Sequence, residues 1–292
     1  MTFAGHRARK RFGQHWLVDA GVLDRIVAAA ELGPMDRVLE VGPGRGALTE
    51  RLLASPAAVV TAVELDRDLV QGLQQRFGAD PRFRLITGDV LEVPLPLEAS
   101  GPLKVVANIP YNITGPLLER LVGRLERPLT TPYERLVLLV QQEVGERIRA
   151  AEGSSAFSAL SVRMQLLARC RSVCPVPPRC FVPPPKVMSE VILLQPRPVQ
   201  ELLPSSTAQQ VESLLRRCFA SRRKMLRNTL AGLLPADALA AAAVEAGLSL
   251  QQRPQELAPE RWVALATSLN RAGGAASPAS ASSSPSPAPS CS

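Results

Sequence analysis

Histidine and aromatic residues are in short supply. Phe, Trp and Tyr together make up 4% of the chain, and the two histidines are His6 and His15. That leaves a histidine-based metal centre little to be built from. Long apolar runs are missing too, since no stretch approaches the ~18 consecutive apolar residues of a membrane span. The N-terminus MTFAGHRARKRFGQ is basic, but the apolar core of a secretion signal does not follow it. The five cysteines are Cys170, Cys174, Cys180, Cys218 and Cys291. An odd number with no export signal points to reduced thiols in a cytoplasmic protein. Three of them fall in CRSVCPVPPRC, a spacing that fits no common zinc module, so no metal is expected.

What is present sets the scale. The 292 residues suffice for one large domain and a smaller one. Lys and Arg number 34 against 26 acids, a formal charge of +8. Such an excess suggests a polyanionic partner without proving one, because many basic proteins bind no nucleic acid.

From about Asp36 to Gln195, short apolar runs alternate with helical patterns. RVLEVG, AAVVTAVE, FRLITGD, LKVVAN and ERLVLLVQ are separated by segments such as ALTERLLA, DRDLVQGLQQRF and GPLLERLVGRL. Fully apolar strands between amphipathic helices predict an α/β domain, a parallel sheet covered on both faces. After Pro204 only helical spacing remains. Val211, Leu214, Leu215, Cys218 and Phe219 share one face, as do Trp262, Leu265, Ala266 and Leu269. PADALAAAAVEAG has Pro235 near its start and Gly247 just past its end, as a helix prefers. The final AGGAASPASASSSPSPAPSCS has no charge and no large apolar residue, and predicts a disordered tail. The expected division is a basic segment over 1–18, an α/β domain over 19–200, helices over 201–270 and the tail over 271–292. No internal repeat is evident.

EVGPGRGALTE puts Gly42, Gly44 and Gly46 between a strand and a helix, where the backbone must turn tightly and approach a ligand. The spacing is not the G-x-G-x-x-G of dinucleotide enzymes, which argues against a nicotinamide cofactor. Glu64 ends the second strand, positioned to accept both hydroxyls of a ribose. Asp89 ends the third, positioned to meet an adenine amine. Each acid alone reads as a solvated loop carboxylate; in this order and register they predict a nucleoside site.

NIPYN closes the fourth strand. An aromatic amine is a poor nucleophile because its lone pair is delocalised into the ring. Accepting hydrogen bonds from both amine hydrogens pushes that nitrogen toward tetrahedral geometry and frees the pair. The Asn108 side-chain oxygen and the Pro110 carbonyl can do this, and Tyr111 can stack on a base taken out of its helix. The bland alternative is a strand-ending turn with a core tyrosine.

With these motifs in view, the sequence resembles the ribosomal RNA adenine dimethyltransferases over roughly residues 10–270. RFGQHWL (11–17), EVGPGRGALT and NIPYN are similar to the family's N-terminal, glycine-loop and catalytic motifs. FVPPPKVMSEVI (181–192) and SRRKMLRNTL (221–230) are similar to its second aromatic motif and to the basic signature of its small-subunit branch. The resemblance implies a Rossmann-like, seven-stranded class I methyltransferase domain with a smaller all-helical C-terminal domain. It implies S-adenosylmethionine as cofactor, contacted by His15, Leu17, Gly42, Glu64, Asp89 and Asn108. Asn108, Pro110, Tyr111 and Phe181 would be catalytic, with Phe181 packed on the target base. The implied reaction is dimethylation of two adjacent adenosines in a hairpin loop near the 3′ end of small-subunit rRNA. A monomer would act late in subunit assembly, on rRNA in a pre-assembled subunit, with no membrane partner. His15 and Trp16 stand where Asn and Phe are usual, and Met188-Ser189-Glu190 where Asp-Ser-Ala is commoner.

Arg222, Arg223, Lys224 and Arg227 are the candidate RNA-binding residues, in a stretch from Arg216 to Arg227 with no acid in it. Two other readings stand beside this one. Antibiotic-resistance methyltransferases of the large subunit share the glycine and NIPY motifs, although SRRKMLRN favours the small-subunit branch. A non-catalytic assembly factor is the other, against which the intact Asn108, Pro110 and Tyr111 argue.

Overall fold

The computed structural model describes residues 14–95, 103–129 and 133–275. Residues 1–13 of the basic N-terminal segment and 276–292 of the expected tail lie outside them. The chain begins with β1 (Trp16–Leu17), α1 (Ala20–Ala30), β2 (Arg37–Val41), α2 (Ala47–Ala54), β3 (Val59–Glu64), α3 (Arg67–Phe77) and β4 (Phe83–Thr87). It continues with β5 (Leu103–Asn108), α4 (Thr114–Val122), the short β6 (Gly123–Arg124) and β7 (Arg127–Pro128), β8 (Tyr133–Gln141), α5 (Gln142–Arg149) and α6 (Ala159–Leu167). Then follow β9 (Ala168–Val176), β10 (Phe181–Val182), β11 (Ser189–Pro196), α7 (Ser205–Phe219), α8 (Leu226–Thr229), α9 (Ala236–Glu245) and α10 (Pro259–Ala275).

Seven strands form one sheet in the order β4-β3-β2-β5-β8-β11-β9. The first five are parallel, and β11 runs antiparallel to both neighbours. All five parallel strands are the apolar runs read from the sequence. Their residues alternate between faces as the pleat requires: Val38, Val106 and Val137 face the α1–α2 side, and Leu39, Val105 and Leu136 the other. The chain goes outward through β2, β3 and β4, then returns to set β5 on the far side of β2. That reversal opens a crevice at the carboxyl ends of β2 and β5.

β9 and β11 complete the sheet outside the apolar runs. β9 is an edge strand whose arginines and serine are partly solvated, so it reads as neither alternating nor continuous. It carries Cys170 and Cys174 of the cysteine cluster, and its register against β11 shifts between Val191 and Ile192. The extra residue turns Cys170 to one apolar layer and Cys174 to the other.

The helical region follows its spacing. Val211, Leu214, Leu215 and Cys218 are buried, as are Trp262, Leu265, Ala266 and Leu269, and Phe219 packs against Trp262 at 5.8 Å. α9 ends with Gly247 at φ 66 and a Leu248 N–H to Ala243 carbonyl bond of 3.0 Å, which satisfies a terminal carbonyl. α10 runs to Ala275, past position 271 where the sequence puts the start of the tail. These helices share one continuous apolar cluster with the Leu39–Val105–Leu136 face of the sheet. Among the described residues, no helix is long and apolar enough to cross a membrane.

Candidate active site

The glycine loop leads from β2 into α2 at the crevice. Gly42, Gly44 and Gly46 take φ values of 67, 59 and 80, the left-handed region that favours glycine. At two of them space matters as well. A Cβ on Gly44 would lie 2.9 Å from Trp16 Cδ1, and one on Gly46 2.4 Å from Phe77 Cε2. Trp16 therefore lies against the loop, and the Arg45 guanidinium stands 3.8 Å over its ring.

Glu64 ends β3 and holds this loop. Its Oε2 accepts the Gly44 N–H at 3.1 Å, and its Oε1 accepts the Asp66 N–H at 2.8 Å. Burial pushes the Glu64 carboxyl above the usual range, while the Asp66 and Gly44 N–H groups pull it back. A carboxylate in this position has lone pairs to spare, and two ribose hydroxyls are the donors that would stabilise its charge. Asp66 in turn accepts from Gln14 Nε2 at 3.1 Å. Asp89 Oδ1 accepts the Leu91 N–H at 2.8 Å, which fixes the carboxylate after β4.

Glu40, inside the glycine motif, was given no role by sequence reasoning. It is 1% exposed, and Thr49 Oγ1 donates to its Oε2 at 2.7 Å. Burial, only partly offset by Thr49 and reinforced by the nearby Glu64, pushes its carboxyl up to about 8 from an ordinary 4.5. The folded state thus holds this proton more tightly than the unfolded chain does. The stability it contributes is full below the unfolded value and is lost as pH rises toward the folded one. Glu40→Gln is accordingly expected to gain on the unaltered protein, by on the order of a few kcal/mol, between about pH 5 and pH 9. Melting curves of the ligand-free proteins check this; a pH-independent difference would mean the carboxyl is ionised in the fold.

The reactive motif faces the loop across the crevice. Asn108 Nδ2 donates to the His15 carbonyl at 3.0 Å, which orients the amide. No other hydrogen bond reaches that side chain among the described residues, so Oδ1 is available as an acceptor. The Pro110 carbonyl accepts the Ile113 N–H at 3.1 Å and keeps a second lone pair. The Tyr111 hydroxyl bonds Ser189 Oγ at 2.6 Å, and its ring stacks with His15 at 5.7 Å between centroids and 26° between planes. Burial raises the Tyr111 phenol, against the pull of Ser189, so the ring is neutral.

His15, Gly42, Gly44, Glu64, Asp89, Asn108, Pro110 and Tyr111 all line one cleft of about 840 Å³ including its open mouth. Leu17 and Phe181 do not. β1 pairs with β10 so that Leu17 lies opposite Phe181 and Trp16 opposite Val182. Leu17 and Phe181 are 4% and 2% exposed against 51% for Val182, and both join the apolar layer with Val22 and Leu23. Without a base bound, the Phe181 ring thus lies in that layer at the start of β10, beside the cleft and not in its lining.

The basic segment divides in two. Arg216 pairs with Glu212 at 3.0 Å and Glu126 at 2.6 Å, and Arg217 donates to the Thr229 and Ala231 carbonyls. Both are braces within the fold. Arg222 donates to the Ser155 carbonyl at 3.1 Å. Arg223, Lys224 and Arg227 are exposed, and their side chains have no partner among the described residues. Besides Glu40, sequence reasoning missed Ser189 as the partner of Tyr111 and Arg45 as the partner of Trp16. In the sequence, only the Ser of Met188-Ser189-Glu190 hinted at the first.

Comparison with known proteins agrees with this geometry. The sequence profile of the ribosomal RNA adenine dimethylase family matches residues 5–271. Ribosomal RNA small subunit methyltransferase A of Parasynechococcus marenigrum (strain WH8102) is 71% identical over 278 residues, 95% of this chain and 92% of that protein. Its namesake in Synechococcus sp. (strain RCC307) is 69% identical over 273 residues, 93% of this chain and 100% of that one. Among solved structures, a dimethyladenosine transferase from Plasmodium falciparum superposes with a TM-score of 0.73 at 27% identity, covering 89% of this chain and 98% of that one. The 23S rRNA methyltransferase ErmE superposes at 0.70 with 29% identity, covering 87% and 99%. With a family profile over nearly its whole length and relatives of this identity, the chain belongs to the ribosomal RNA adenine dimethylases.

Proposed function

We propose that the cleft binds S-adenosylmethionine and that the chain dimethylates N6 of two adjacent adenosines in a hairpin loop near the 3′ end of small-subunit rRNA, within a pre-assembled subunit. One observation carries the reading. Glu64, Asp89 and the glycine loop share a single cleft with Asn108 and Pro110, and the Asn108 amide is turned so that its oxygen is the available atom. The small-subunit assignment rests on the relatives at 66–71% identity, which bear that name.

The residues present fit the cofactor. Gly42 and Gly44 bring bare backbone to the cleft wall, Glu64 offers carboxylate lone pairs to the ribose, and Asp89 stands ready for the adenine. When bound, S-adenosylmethionine supplies an electrophilic methyl on a sulfonium leaving group, so no strong general base is required. Asn108 Oδ1 and the spare lone pair of the Pro110 carbonyl accept the two amine hydrogens and localise the nitrogen lone pair. Tyr111, tied at its hydroxyl, offers a ring face to the extruded base at little entropic cost. The test is radiolabelled methyl transfer to unmethylated small subunits, followed by primer extension. Stops at two adjacent adenines are expected; no transfer to small subunits beside transfer to large subunits assayed in parallel would overturn the assignment.

Glu64 yields a further expectation. Glu64→Gln keeps the side-chain volume but loses the charge and one acceptor oxygen. Its binding of S-adenosylmethionine should weaken by about 1.5–3 kcal/mol. Unchanged affinity by calorimetry would reduce Glu64 to a support for the loop.

A further inference from the structure

His15 is where the cofactor wall, the reactive amide and the base-stacking ring meet. Its carbonyl accepts Asn108 Nδ2 at 3.0 Å. Its ring stacks with Tyr111 at 5.7 Å, and its Nδ1 lies 2.8 Å from the Pro183 carbonyl. A carbonyl only accepts, so Nδ1 carries the hydrogen and the ring orientation is fixed from the β10 side. The same two chain segments are joined by the β1–β10 pairing and by the Val18 N–H to Cys180 carbonyl bond of 2.9 Å. Tyr111 is thus held at two points, its hydroxyl by Ser189 and its ring by His15.

We propose that the His15 side chain is a positioning residue for the methyl-transfer step, bracing Tyr111 through its ring while Pro183 fixes that ring. The proposal rests on the rRNA methyltransferase reading given above. With its Nδ1 committed to Pro183, the imidazole acts on the base pocket; the cofactor segment reaches Asn108 through the His15 backbone, which any side chain preserves. A base stacking on Tyr111 then takes the ring face that His15 leaves open. Without the brace, Tyr111 has its Ser189 bond and a free swing about it, and the base is held less well at the moment of transfer.

The test uses full-length His15→Ala, His15→Asn and His15→Phe. Calorimetry gives S-adenosylmethionine affinity, and radiolabelled transfer to unmethylated small subunits gives kcat and KM. Alanine and asparagine, which lack a ring, should lower kcat on the order of tenfold with cofactor affinity within about threefold. Phenylalanine, which keeps a ring against Tyr111, should recover most of that loss. In a Tyr111→Leu background, His15→Ala should add little, because the group it braces is gone. Cofactor affinity falling in step with turnover would overturn the proposal, as would equal loss in the phenylalanine and alanine variants or additive loss in the double variant. Thermal melts show whether each variant is folded, and the phenylalanine variant carries the test if alanine is not. If the unaltered chain transfers no methyl to subunits, the functional reading itself falls and this proposal with it. Transfer by the unaltered chain with any of the other contrary results overturns the proposal alone.

Discussion

Replacing Asn108 by alanine is expected to cut methyl transfer by two to three orders of magnitude while S-adenosylmethionine still binds. The side-chain oxygen is the acceptor that draws one amine hydrogen away and concentrates the lone pair on N6. Preorganised polar groups of this kind are worth about 3 kcal/mol in a transition state. Its amide nitrogen does a second job, donating to the His15 carbonyl at 3.0 Å, so alanine also leaves that carbonyl without its partner. Asn108→Asp separates the two. It keeps an oxygen for the amine but loses the hydrogen given to His15, and should retain measurable transfer. Single-turnover transfer to unmethylated small subunits, with calorimetric cofactor binding beside it, reads both variants. Near-normal turnover in Asn108→Ala would remove Asn108 from the chemistry.

The parts of this site that the sequence made legible are those written in consecutive residues. The glycine loop, Glu64, Asp89 and Asn108-Pro110-Tyr111 each follow an apolar strand, and a parallel sheet brings such strand ends to one edge. Contacts made across the chain left no local mark. Tyr111 finds Ser189 only because β11 is inserted antiparallel between β8 and β9. His15 finds Pro183 only because β1 pairs with β10. The same pairing explains why Phe181 is not in the cleft. In a two-residue antiparallel ladder the partners Leu17 and Phe181 share a face, and here that face is the apolar layer over α1. β9 escaped notice because an edge strand with a bulge and partly solvated arginines shows neither alternation nor an apolar run. Charge density was legible in the basic segment, but the partition of its charges was not. Glu126, the partner of Arg216, lies in the distant β6–β7 turn.

That partition sharpens what the basic segment should do. Six basic residues between Arg216 and Arg227 would repel one another unless acids or a polyanion offset them. Arg216 is offset by Glu212 and Glu126, and Arg217 and Arg222 by backbone carbonyls. Arg223, Lys224 and Arg227 are the charges left facing solvent. Arg223 and Lys224 follow α7 and Arg227 lies in α8, and Arg222 ties the connection between these helices to Ser155, itself in the connection from α5 to α6. α5 itself begins at the carboxyl end of β8, the same end of the sheet as the cleft. Phosphates of an rRNA hairpin entering the cleft are the expected counter-charges. Changing Arg223, Lys224 and Arg227 together to alanine should weaken small-subunit binding and flatten its salt dependence by about 2–3 log–log units, one phosphate per side chain. Adding Arg222→Ala should lower the melting temperature as well, because the bond to Ser155 is lost. Cofactor affinity should stay unchanged in the triple variant, since none of the three lines the cleft. Filter binding of unmethylated subunits across a salt series measures the slope. An unaltered slope would make these residues a solvated surface and send the search for the rRNA contact elsewhere on the chain.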